Sequence, residues 1–86
     1  MSWAYHVNPA SKKFLSSIPK NDASSILDAI EETSVNPYSG DIQKLGGRAW
    51  RKRAGSYRIK FEISTETRTF YVYEIERRTS TTYRKR

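Results

Sequence analysis

The fold is decided by residues 50–61, WRKRAGSYRIKF, in which basic and apolar residues alternate on both sides of a glycine. Gly55-Ser56 reads as a two-residue loop with glycine first, which suits a type II′ hairpin turn. The cross-strand pairs that this loop predicts are Ala54 with Tyr57, Arg53 with Arg58, Lys52 with Ile59, Arg51 with Lys60, and Trp50 with Phe61. The stretch therefore predicts a β-hairpin whose register is set by its turn.

The two faces of this hairpin differ because side chains alternate along a strand. The face that should pack on helices is largely apolar and holds Trp50, Lys52, Ala54, Tyr57, Ile59 and Phe61. The other face holds Arg51, Arg53, Arg58 and Lys60. Like charges directly across a hairpin destabilise it by roughly a few tenths of a kcal/mol per pair, and within the hairpin only Glu62, at the margin, could relieve them. We expect this face to hold an anion; the simpler interpretation is that long basic stems cover an exposed sheet.

The remaining elements are placed by hydrophobic periodicity and by capping residues. Residues 3–7 predict a strand, after which Asn8 caps a helix that has Pro9 in its first position and ends at Pro19. Asn21 or Asp22 is expected to cap a second helix, with Ala23, Ile26, Leu27, Ile30 and Thr33 at helical spacing. A further strand covers residues 68–76. The predicted order is β-α-α-β-β-β, in a single domain that spans residues 1–86.

Charge is distributed unevenly along the 86 residues, whose net value is +7. Residues 48–86 carry twelve Lys/Arg and four Glu, whereas residues 1–47 carry four Lys and five acids. A basic half suggests a polyanionic partner, although a solvated basic face would look the same. The chain has no cysteine and no apolar stretch of membrane-spanning length, and His6 is its only histidine. We therefore expect a cytoplasmic protein without a metal, a cofactor or a histidine pair for acid–base catalysis.

The central run, with Leu45-Gly46-Gly47 before it, resembles the RelE/ParE superfamily of type II toxins. Members of this superfamily carry a Leu-Gly pair followed by an Arg-x-Gly-x-Tyr-Arg-hydrophobic run. Asn36-Pro37 and the ending Ile75-Glu76-Arg77-Arg78, followed by Tyr83, also match, so the resemblance covers nearly the whole chain. It implies an α+β fold, in which a helical hairpin packs on one face of a curved four-stranded antiparallel sheet.

The resemblance also implies an activity, in which RelE-like ribonucleases cut mRNA on the ribosome by attack of a ribose 2′-hydroxyl on the adjacent phosphate, without a metal. The implied partners are a cognate acidic antitoxin and mRNA on the 70S ribosome, with contacts to 16S and 23S rRNA. The positions that match catalytic residues are Arg51, Arg53, Arg58, Arg78 (or Arg77) and Tyr83. The residues expected to contact RNA are Lys52, Lys60, Arg77, Arg84 and Lys85.

One departure from the family leaves the general base unassigned. RelE-like enzymes often have lysine at the positions of Arg51 and Arg53, and arginine effectively cannot release its proton. Tyr83, water or ribosomal RNA could take the proton instead. Two alternatives stay open: a ParE-type DNA gyrase inhibitor without catalysis of its own, and a non-catalytic RNA-binding module. The full basic set together with Tyr83 favours the ribonuclease, because ParE-like members usually lack it.

Overall fold

The computed structural model describes residues 2–77, which form two helices and five strands. In chain order these are β1 (Ala4–Val7), α1 (Pro9–Ser17), α2 (Lys20–Val35), β2 (Ile42–Gly46), β3 (Ala49–Ala54), β4 (Tyr57–Ser64) and β5 (Thr69–Arg77). Four of the predicted site residues lie outside the described part of the chain: Arg78, Tyr83, Arg84 and Lys85. Within the described part, no helix has the length and apolar character needed to cross a membrane.

The strands form one mixed sheet in the order β1-β5-β4-β3-β2. The expected α+β class is confirmed, but the expected four-stranded antiparallel sheet needs two corrections. β2 is a fifth strand, which forms one edge of the sheet; its mostly exposed, polar residues lack the apolar alternation by which a strand is recognised. β1 pairs with β5 in parallel at the other edge, with Tyr5 opposite Phe70. A parallel neighbour requires a long connection, which the two helices and the three intervening strands supply.

Each of the two helices begins next to a proline. The Asn8 side chain accepts a hydrogen bond from Ser11 N at 2.9 Å and donates one to Tyr73 O at 2.8 Å, so the predicted cap of α1 also ties this helix to β5. The predicted cap of α2 at Asn21 or Asp22 is wrong. α2 begins at Lys20, so its N-cap position is occupied by Pro19, whose side chain has no oxygen to accept a hydrogen bond from the first turn.

The hydrophobic core lies between the helices and the two central strands of the sheet. Alternate residues of β4 are buried, which places the predicted apolar face of the hairpin against the helices. The fully buried core consists of Ile26 and Ile30 from α2, Tyr57, Ile59, Phe61 and Ile63 from β4, and Phe70, Val72 and Ile75 from β5. Leu27, which the helical spacing placed in the apolar stripe, stays 47% exposed. The buried face of α2 is therefore narrower than the apolar stripe predicted from its sequence.

Candidate functional site: an ion-paired face of the sheet

The turn at Gly55-Ser56 sets the register of the candidate site. Gly55 has φ +60°, whereas Ser56 is not among the residues with positive φ, as a type II′ turn requires. Every predicted cross-strand pair is present, from Ala54 with Tyr57 at the turn to Trp50 with Phe61. The alternation of side chains along β3 and β4 therefore follows the predicted pattern.

The face of the sheet opposite the helices, here called the outer face, collects four of the predicted site residues. These are Arg51, Arg53, Arg58 and Lys60, which form two cross-strand pairs between β3 and β4. Arg53 is exposed, while the other three are half-buried. The structure thus brings together three of the five predicted catalytic residues and one of the predicted RNA contacts.

The charges of this face are balanced in a way that the hairpin sequence did not reveal. β5 pairs with β4 so that Glu76 lies opposite Arg58 and Glu74 opposite Lys60. Lys60 Nζ is 3.3 Å from a carboxylate oxygen of Glu74 and 3.6 Å from one of Glu76, and Arg58 Nη1 is 3.6 Å from the same Glu76 oxygen. The acids that relieve the like-charged pairs therefore come from β5, outside the hairpin, within which the sequence offered only Glu62.

β2 and the residue before it supply partners for the two remaining arginines. Arg51 donates a hydrogen bond to the side-chain oxygen of Gln43, and Arg53 Nε lies 3.5 Å from a carboxylate oxygen of Asp41. Three carboxylates, those of Asp41, Glu74 and Glu76, therefore pair with three of the four cations of the outer face, while Arg51 is paired with a neutral amide. Of the net charge of +7, four charges come from the Lys/Arg of residues 78–86, a segment that contains no acid.

Lys60 is the cation of the outer face that forms ion pairs with two carboxylates. Burial by itself would lower the pKa of Lys60, but the hydrogen bond to Glu74 and the charges of Glu76 and Glu74 outweigh it and raise this pKa above its ordinary value. Lys60 is therefore a charged ammonium group at neutral pH, fixed between two carboxylates.

Lys52 is not brought to the outer face. It projects toward the helices and is 2% exposed, and its Nζ lies 2.8 Å from a carboxylate oxygen of Glu32 and 3.3 Å from Thr33 Oγ1. The hydrogen bond from Lys52, together with its charge, holds the pKa of Glu32 below its ordinary value. The geometry gives Lys52 a structural role, and the prediction that it contacts RNA has no support from its position.

Arg77 is also separate from the outer-face residues. It lies opposite Tyr57, with its guanidinium carbon 5.9 Å from the centre of the Tyr57 ring. Tyr57 donates a hydrogen bond to Asp22 at 2.8 Å; this bond, followed by burial and the Asp22 charge, raises the pKa of Tyr57. Arg77 therefore lies beside a tyrosine of β4 whose hydroxyl is bound to the start of α2. No group of three or more His, Cys, Asp or Glu residues within 2–77 is arranged to hold a metal ion.

The comparisons with known proteins bear on the fold. A scan of protein-family models gave no match, and a sequence comparison with curated proteins gave none either. Among solved structures, an archaeal RelE–RelB complex from Pyrococcus horikoshii OT3 aligns with a TM-score of 0.84 and 20% identity, over 94% of this chain and 100% of that chain. A RelBE toxin–antitoxin complex from Mycobacterium tuberculosis aligns with a TM-score of 0.79 and 17% identity, over 91% and 100%.

A third neighbour, the RelB–RelE antitoxin–toxin complex from Methanococcus jannaschii, has a lower TM-score of 0.68 but 26% identity, over 86% of this chain and 91% of that chain. All three align over nearly their full length, so the likeness concerns the whole domain. The class defined is a small α+β domain with two helices on one face of a mixed sheet. The chain shares this fold with the RelE toxins of these complexes, in agreement with the fold that the sequence resemblance implied.

Proposed function

We propose that this chain is the toxin of a type II toxin–antitoxin pair and that it cleaves mRNA on the ribosome. The observation that carries the proposal is the outer face, where Arg51, Arg53, Arg58 and Lys60 project from two adjacent strands in one fixed register. The likeness of the domain to toxins solved with their antitoxins supports the class. Three of these four cations, Arg51, Arg53 and Arg58, are those that the RelE resemblance matches to catalytic positions.

Cleavage by a 2′-hydroxyl places additional negative charge on the phosphate oxygens in the transition state. Cations held in advance where this charge develops stabilise it without further reorganisation. Arg51, Arg53 and Arg58 take this role in the proposal. Arg78 stabilises the leaving oxygen, and Tyr83 stacks on a base and orients the 2′-hydroxyl.

A phosphate that binds to the outer face must displace carboxylates that are already paired with its arginines. Arg53 and Arg58 contact carboxylates at 3.5 and 3.6 Å, longer than a good charge-assisted hydrogen bond. A phosphate that offers shorter bonds can take the place of these carboxylates. Because three of its four cations are already paired with carboxylates, the outer face contributes little long-range attraction, so in this proposal the Lys/Arg of residues 78–86 supply most of the steering toward RNA.

The proposed partner is a short acidic antitoxin, complementary to the net charge of +7. Two modes of inhibition fit the proposal. The antitoxin covers the outer face, or it displaces the C-terminal segment that carries Tyr83. The proposed location of both proteins is the cytoplasm, where mRNA and ribosomes are found.

Induced expression in bacteria tests the function. We expect incorporation of labelled amino acids to stop before incorporation of labelled thymidine, and new transcript 5′ ends to appear within minutes. The double variant Arg58→Ala/Arg78→Ala should lose toxicity. Lys12→Ala/Lys13→Ala is the matched control, because it removes the same charge from the exposed surface of α1 and should remain toxic.

Two results would count against the ribonuclease. If DNA synthesis stops first and the DNA-damage response is induced, the chain is a gyrase inhibitor of the ParE type. If the double variant folds and remains fully toxic, the outer face is not the site. Circular dichroism of each purified variant shows whether the fold is retained.

A further inference from the structure

We propose that Glu76 is the general base that takes the proton from the attacking 2′-hydroxyl, an inference that rests on the proposed ribonuclease function. The sequence offered no base among the basic residues of the hairpin. β5 places a carboxylate within the group of cations, at the point where the phosphate would bind.

The position of Glu76 is the first argument. It lies directly opposite Arg58 on the neighbouring strand, and one of its oxygens is 3.6 Å from both Arg58 Nη1 and Lys60 Nζ. A phosphate bound by these two cations would have its oxygens beside that carboxylate. The 2′-hydroxyl that attacks the phosphorus is adjacent to the same phosphate, so it comes within reach of Glu76. A base must first satisfy this requirement of geometry.

The unsatisfied hydrogen-bonding capacity of Arg58 is the second argument. Arg58 Nε is buried and has no hydrogen-bond partner among residues 2–77. Its contact with Glu76, at 3.6 Å, is an ion pair longer than a hydrogen bond. A network that served only stability would satisfy this donor, since an unpaired buried donor costs about 1–3 kcal/mol. A phosphate oxygen could accept a hydrogen bond from Arg58 Nε and replace Glu76 as the ionic partner of Arg58, which would leave Glu76 available to accept a proton.

The reaction step balances with groups that are present on this face. The 2′-oxygen forms a bond to phosphorus as its proton passes to the Glu76 carboxylate, and the bond between phosphorus and the 5′-oxygen breaks. The departing 5′-oxygen takes a proton from the Lys60 ammonium. The products are a 2′,3′-cyclic phosphate and a 5′-hydroxyl. Transfer of a proton from Glu76 to Lys60, whose reacting atoms are 3.6 Å apart, restores both groups.

Glu74 provides a matched control. It lies on the same strand and face, two residues away, and also contacts Lys60, at 3.3 Å. The contacts recorded for Glu74 do not include Arg58. Removal of either carboxylate therefore deletes one negative charge beside Lys60, but only Glu76 also contacts the arginine that would hold the phosphate.

The test compares Glu76→Gln and Glu74→Gln in single-turnover cleavage of mRNA programmed on purified ribosomes at neutral pH. We expect Glu76→Gln to cleave about 10²–10⁴-fold more slowly, the usual contribution of a general base, and to bind the programmed ribosome at least as tightly as wild type. Glu74→Gln should remain within a few-fold.

Three results would overturn the assignment. The first is cleavage by Glu76→Gln within a few-fold of wild type. The second is an equal loss of cleavage rate in the two variants, which would assign both carboxylates to charge balance alone. The third is absence of cleavage by the wild type, which overturns the proposed function and this assignment together. The first two results leave the ribonuclease itself in place.

Discussion

Replacing the buried Lys52 tests whether this lysine stabilises the fold through its ion pair with Glu32 or through the packing of its aliphatic stem. Lys52 is 2% exposed, and its stem is packed so closely that a Cβ added at Gly40 would lie 3.1 Å from Lys52 Cε. Lys52→Ala removes three buried methylene groups, which at about 0.8 kcal/mol each lowers the free energy of unfolding by about 2 kcal/mol. Lys52→Met retains a side chain of nearly the same length and removes the buried charge.

The free energy of unfolding of Lys52→Met should lie within about 1 kcal/mol of the wild-type value, because exchange of a buried ion for an apolar isostere is often neutral or stabilising. The groups left behind are not stranded: the Glu32 side chain is 58% exposed, and Thr33 Oγ1 still donates to Ala29 O at 2.8 Å. Urea denaturation followed by circular dichroism measures both variants. If Lys52→Met loses as much stability as Lys52→Ala, the pair acts through its charge and this reasoning fails. Cleavage by Lys52→Met should stay within twofold of wild type, since Lys52 does not reach the outer face.

Three further perturbations address the fold and its turn. Because the pKa of Glu32 is lowered in the folded protein, the contribution of this carboxylate to stability is present above pH 4.5 and is lost as the pH falls below that value. The urea midpoint of wild type should therefore fall more on acidification below pH 4.5 than the urea midpoint of Lys52→Met. Gly55→Ala should lower the free energy of unfolding by about 1–2 kcal/mol in thermal unfolding; the loss comes from the backbone φ of +60° alone, because an added Cβ meets no atom within 4 Å. Ser56→Ala should lower it by roughly a few tenths of a kcal/mol. Equal losses in the two variants would contradict the assigned turn. Phe61→Ala, at a fully buried position, should cost about 3–5 kcal/mol by urea denaturation, and a loss under 1 kcal/mol would contradict the described core.

The hairpin could be predicted from sequence because its information is local. A glycine at the first position of a two-residue loop fixes the register, and the register fixes which side chains share a face. The face of Arg51 and Arg58 followed from that single feature. β2 could not be predicted in this way, because a polar edge strand is stabilised by pairing with β3 and not by apolar burial of its own residues.

The acids of the outer face depend on contacts between residues distant in sequence. Glu74 and Glu76 reach Lys60 and Arg58 only because β5 pairs with β4, and this register includes a shift beside Lys60. The alternation of β5 alone does not show which of its residues oppose the hairpin cations. The ion pair of Lys52 depends in the same way on a distant partner. Glu32 lies on α2, and the packing of α2 against β3 brings Glu32 to Lys52 and buries the lysine.

The central claim is that the arginines of the outer face stabilise the cleaved phosphate. The most direct measurement maps mRNA 5′ ends in a purified translation system to which wild type or Arg51→Ala/Arg58→Ala is added, after both proteins have been shown to be folded. We expect new 5′ ends with wild type, only when ribosomes are present, and a cleavage rate lower by about 10²-fold or more with the variant. Cleavage by the variant at the wild-type rate, or inhibition of gyrase supercoiling by wild type without any new ends, would contradict it.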